Sequence, residues 1–126
     1  MHLRRQLSRV DLDLQRIERE REDLDSLQQQ RKITLPEWGS RIEKHILPEL
    51  VAAEDRIADG QAVEDAKLGK ARTELVDFID HERFALDLLG EAAITADADK
   101  REWGTNMMRT VMAQEDGVLA TVRAEE

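Results

Sequence analysis

Of the three histidines in the chain, two stand four residues from a carboxylate: His45 with Glu49, and His81 with Asp77. On a helix that spacing puts both members of a pair on one face. Where two helices run antiparallel around a turn near Asp59-Gly60, position 45 lies roughly level with 76 and position 41 with 80, so the four groups could converge. Two imidazoles and two carboxylates are an acceptable set for zinc or a non-haem metal. The pattern is unspecific, because the Glu-x-x-His signature of di-iron bundles is missing and His45 and Glu49 each fall one residue off the apolar stripe. The sequence therefore predicts no metal and no cofactor, and His45, Glu49, Asp77 and His81 are the candidates for a metal-binding bundle.

Other chemistries have less behind them. With no cysteine the chain can form no disulfide, thiolate nucleophile or zinc-thiolate site. Asp97-Ala98-Asp99 begins like a calcium loop, but Met108 stands at the twelfth place, where a bidentate acid is needed. Asp55 to Ala66 has Gly60 in the right place and fails at the third and twelfth. No glycine-rich phosphate loop, no Ser-His-Asp set and no aromatic platform for single strands can be read. Among 28 acids no pair stands apart as general acid and base. The expected protein is not an enzyme, has no catalytic residues, and shows no evident small-molecule substrate.

The elements that would position these groups follow from composition. Charged residues make up 37% of the 126 and aromatics 3%, so the core must come from Leu, Ile, Val, Ala and Met, a palette that favours helices over strands. Two prolines and six glycines leave long uninterrupted segments. The expectation is an all-α, antiparallel four-helix bundle-like domain spanning 1–126, with helices over about 3–30, 36–58, 62–89 and 97–122.

Leu3, Leu7, Val10, Leu14, Ile17, Arg21, Leu24 and Gln28 step alternately by four and three, the period of a coiled-coil seam. Leu12 and Leu27 lie off that seam and should broaden it. Thr34-Leu35-Pro36-Glu37 carries a helix break, a capping box and a proline suited to a first turn. Ile42, Ile46, Leu50, Ala53 and Ile57 form the second stripe, and Pro48 within it predicts a kink or restart near His45-Ile46-Leu47. The third helix carries Val63, Leu68, Ala71, Leu75, Phe78, Ile79, Leu86 and Leu89. A fourth, capped by Thr95 or Asp97, carries Trp103, three methionines and Val111, and Gly117 is a candidate break.

Both tryptophans sit in similar segments 65 residues apart, Glu37-Trp38-Gly39-Ser40 and Glu102-Trp103-Gly104-Thr105. The same offset pairs Leu3 with Leu68, Val10 with Leu75, Leu14 with Ile79 and Leu24 with Leu89. An internal repeat of two duplicated helical hairpins accounts for this.

The net charge of −9 is uneven: residues 1–32 hold eight Lys/Arg against seven Asp/Glu, and residues 33–126 hold eleven against twenty-one. Such an acidic protein is unsuited to direct nucleic-acid binding. No signal-peptide core or membrane span can be read, so a cytoplasmic or virion-associated location is expected, without membrane contact. The function expected is a non-enzymatic interaction or assembly protein, either a homo-oligomer or docked on a protein partner through apolar helix faces. Leu3, Leu7, Val10, Leu14 and Ile17 would form the seam, with Trp38 and Trp103 as anchors. The alternatives are an acidic decoy or inhibitor, of phage type, directed at a nucleic-acid-binding protein, and the metal-binding bundle.

Overall fold

The structure is a computed structural model that describes residues 2–58 and 65–126, with the backbone alone for His2. Helix α1 runs His2–Gln29 and α2 Leu35–Arg41; a π-helical turn, Ile42–Ile46, joins α2 to α3, Leu47–Asp55. Helices α4, Ala66–Thr95, and α5, Ala98–Ala124, complete the chain. With α2, the π turn and α3 forming one rod, four rods make an antiparallel helical bundle, and no strand occurs among the described residues. The closest pairing is α4 with α5. The second rod packs on α4, while α1 lies against α2, α3 and α5, diagonal to α4.

Local chemistry sets most of the helix ends. Thr34 Oγ1 accepts the Glu37 N–H at 3.2 Å and Glu37 Oε1 accepts the Thr34 N–H at 3.3 Å, which satisfies two donors that the helix start would otherwise leave open. Asp65 caps α4 by accepting from the N–H groups of Lys67 and Leu68, and Asp97 caps α5 by accepting from Lys100 N–H at 3.1 Å. The expected stop at Asp59-Gly60, and Val63 with the start of the third helix at 62, lie outside the described residues.

Proline 48 acts through the turn before it. Inside a regular helix its ring would collide with the carbonyl of Lys44 and remove a bond to it. The chain widens instead: Leu47 N–H bonds back five residues to the Ile42 carbonyl, and α3 restarts at Leu47 with Pro48 in its first turn. That wider turn brings residues four apart onto one face. Ile42, Ile46, Leu50, Ala53 and Ile57 are accordingly all buried.

Leu7, Val10, Leu14 and Ile17 of α1 meet this stripe together with Leu68, Leu75, Phe78, Ile79 and Leu86 of α4 and Val111 and Val122 of α5. Each such side chain contributes roughly 1.5–3 kcal/mol by leaving water. Leu12 departs from expectation, for at 63% exposure it lies outside the seam it was to broaden, whereas Leu27 is half-buried. Two boundaries also differ. Helix α4 continues through Gly90 to Thr95, because Gly90 is buried where the second rod crosses close to it, and α5 runs through Gly117 unbroken.

The glycines of the two Trp-Gly segments are both contact points on α4. A methyl group at Gly39 would lie 2.6 Å from the Gly90 carbonyl oxygen and 2.9 Å from Ala93 Cβ. One at Gly104 would lie 2.9 Å from Leu89 Cγ. At the 65-residue offset Val10 and Leu75, and Leu14 and Ile79, are buried and Leu24 and Leu89 half-buried, but Leu3 is half-buried where Leu68 is fully buried. The tryptophans differ as well.

Candidate protein-docking surface

Trp38 is half-buried, and its indole Nε1–H donates to Asp25 Oδ1 of α1 at 2.9 Å. Trp103 is 54% exposed and stands on α5 edge-on to Phe84 of α4, itself 42% exposed, with ring centroids 5.3 Å apart and planes at 75°. Edge-to-face contact is a favourable geometry for two aromatic rings, so they brace one another without leaving the surface. Because α4 and α5 pair along their lengths, an outward residue on each can meet at their shared outer edge.

On its other side Phe84 borders a groove against α3, lined by Leu47, Val51, Asp80, Arg83 and Asp87. Leu47 and Val51 are half-buried, so the apolar strip continues from Trp103 through Phe84 onto the second rod. The cations here are already committed within the chain. Arg83 Nη1 bonds Glu54 Oε2 at 2.6 Å and lies 3.5 Å from Asp80, and Lys100 Nζ bonds Glu91 at 2.8 Å. Burial, then the neighbouring Asp80 carboxyl, raises the pKa of Glu54 despite Arg83. Asp80 and Asp87 are exposed, and the rim is acidic.

The expected site residues are distributed differently from one another. Leu7, Val10, Leu14 and Ile17 are buried in the chain's own core and Leu3 packs half-buried at its edge, so this face of α1 is occupied within the monomer. Trp38 is occupied by Asp25. Of the seven, Trp103 is the one that faces solvent. Met107, Met108 and Met112 pack half-buried against the core.

The four metal candidates are not brought together. His45 opens on the α1 side beside Glu20 and Leu24, and Glu49 faces Glu20 of α1. Asp77 and His81 are exposed on α4, the rod diagonal to α1. The π turn and Pro48 set how the second rod is rotated, which i, i+4 spacing alone does not reveal. No group of three or more His, Cys, Asp or Glu able to hold a metal occurs among the described residues. No helix among them is long and apolar enough to cross a membrane.

Phe84 escaped the sequence reading. A signal for it exists: a phenylalanine two residues from Glu82 and Leu86, off the stripe through Ile79, Leu86 and Leu89, has no inner face to occupy.

The fold places the chain among all-α helical bundles. Comparison with family models, with curated proteins and with solved structures returned no match.

Proposed function

We propose that the protein is a non-enzymatic binding module that docks a basic amphipathic helix of a protein partner across Leu47, Val51, Phe84 and Trp103. The observation that carries this reading is the solvent-facing Phe84–Trp103 pair, continuous with an apolar groove and bordered by Asp80 and Asp87. Aromatic side chains with a polar rim are the usual anatomy of an interface centre. The acidic rim selects a partner with Lys or Arg flanking its apolar face. A second copy of this chain is disfavoured on that surface, since two acidic rims would face each other in a protein of net charge −9.

The test uses a Trp38→Phe variant, in which Trp103 is the one fluorophore, titrated with a synthetic helical peptide of leucine and lysine. A saturable one-to-one blue shift is expected, weaker in salt and weakened about tenfold or more by Phe84→Ala. Equal affinity with and without Phe84 would sink the proposal. Light scattering that shows a dimer without peptide, abolished by Phe84→Ala, would transfer the surface to self-association.

A further inference from the structure

The seam between α1 and the rest of the bundle has an apolar centre and an unusual border, at which acids meet acids. On α3 the Glu49 carboxyl comes into hydrogen-bonding range of Glu20 of α1, with Asp13 beside it and Arg16 the cation facing it. Glu49 Oε2 is buried and accepts no hydrogen bond. His45 and Arg41 of the second rod open on the same groove, with Asp23 on the α1 side. On α5 the carboxyl of Glu115 meets that of Glu18, with Asp116 nearby. Glu82 of α4, 6% exposed, faces both Glu18 and Glu115 and is opposed by Arg21. Arg21 has its Nε buried without a partner and its Nη1 committed to Asp25 at 3.3 Å. At the far end Glu126 meets Asp11, whose two oxygens also accept from Arg123 at 3.0 and 3.1 Å.

Two carboxyls at this range attract when one holds a proton and repel when neither does. We propose that α1 is a proton-controlled latch, docked while protons bridge the Glu20–Glu49 and Glu18–Glu115 contacts, and loosened from α3 and α5 as these pairs ionise. Burial is the first cause raising Glu49 and Glu82 to about 7; the facing Glu20 carboxyl comes second for Glu49, while Arg21 works against the rise at Glu82. Asp11 moves the other way: although burial is its largest influence and pushes upward, its bonds to Arg123, Glu126 and Gln15 hold it below the usual value.

The sign follows from linkage. Carboxyls raised in the docked state contribute stability that is full below their ordinary value near 4.5 and is lost as pH rises through about 7. What holds α1 at higher pH is the apolar seam with Arg56–Asp13 at 3.3 Å, Arg123–Asp11, and Arg4 on Asp65 and Glu125. Residues 30–34, outside any helix, connect α1 to α2.

The measurement is hydrogen exchange of the full chain from pH 5.5 to 8.5, corrected for intrinsic rates. It is paired with Trp38 emission in a Trp103→Phe variant, since Trp38 reports its bond to Asp25 of α1. Amide protection in α1 should fall at least about tenfold across this range while α4 and α5 hold theirs. The triple change Glu49→Gln, Glu82→Gln and Glu115→Gln should keep α1 protected at pH 8.5. In an otherwise unaltered chain, Arg56→Gln with Arg123→Gln should shift release to lower pH. Protection in α1 that is flat with pH, or that falls equally in all helices, overturns the latch; so does a release pH that the arginine changes leave in place.

Discussion

Three glycines in helices test how far a single methyl group depends on its surroundings. At Gly39 the added carbon would stand 2.6 Å from a backbone oxygen that cannot move without displacing α4. Gly39→Ala should therefore destabilise by about 1–3 kcal/mol, as overpacking does. At Gly117 nothing lies within 4 Å, and there the ordinary helix preference for alanine is left unopposed. Gly117→Ala should stabilise by roughly 0.5–1 kcal/mol. Denaturant titration of both variants checks the pair, and a shift of the same sign in each would contradict the packing described for α2 on α4. The sequence marks Gly39 and Gly104 through their tryptophans but cannot say what crosses them. Phe84 and Trp103 pose the same problem in reverse, since an aromatic residue is legible while the side of the bundle it faces is not.

Helix by helix, the ends were the readable part. Thr34 with Glu37, Pro36 and Asp97 act within a few residues of themselves, and each stands where local chemistry predicts, while Asp65, which caps α4 in the same way, escaped the sequence reading. Thr34→Ala should cost about 1 kcal/mol by opening the capping box. The connection from α4 to α5 has a different weakness. Ala96 adopts a left-handed backbone, φ 58°, which a Cβ disfavours. Ala96→Gly should stabilise by about 1 kcal/mol, read as a higher denaturation midpoint with an unchanged slope. The extension of α4 beyond Gly90 was not readable, because a glycine ends a helix or lies under a crossing helix according to what packs there. The π turn belongs to both kinds: Pro48 announces an irregularity, and the wider turn is the form compatible with a continuous buried stripe.

For the whole molecule, acidity and stability are linked. Glu49 and Glu82 are raised to about 7, and Glu54 and Glu115 are raised as well, each first of all by burial. The contribution of Glu49 and Glu82 is full below about 4.5 and lost as pH climbs through 7, whereas Asp11, lowered, adds stability that is lost as pH falls below its ordinary value. The melting temperature should be higher at pH 5.5 than at pH 8, by on the order of 5 °C, and calorimetry at the two values checks this. A higher melting point at pH 8 would mean that these carboxyls are hydrated in solution.

The sequence by itself determined an all-α chain, four helical rods, the caps at Thr34 and Asp97 and most of the apolar stripe of each, because these depend on residue type and on spacings of three and four. Tertiary structure alone decided the rest. It buried the α1 seam within the chain, turned His45 and Glu49 toward α1 and away from Asp77 and His81, and left Trp103 outside while Trp38 found Asp25. All of these depend on how each rod is rotated about its axis and which rods are neighbours. Rotation and adjacency arise from contacts between residues far apart in the chain, such as Gly39 on Gly90 and Glu82 against Arg21, and helical periodicity holds no record of them.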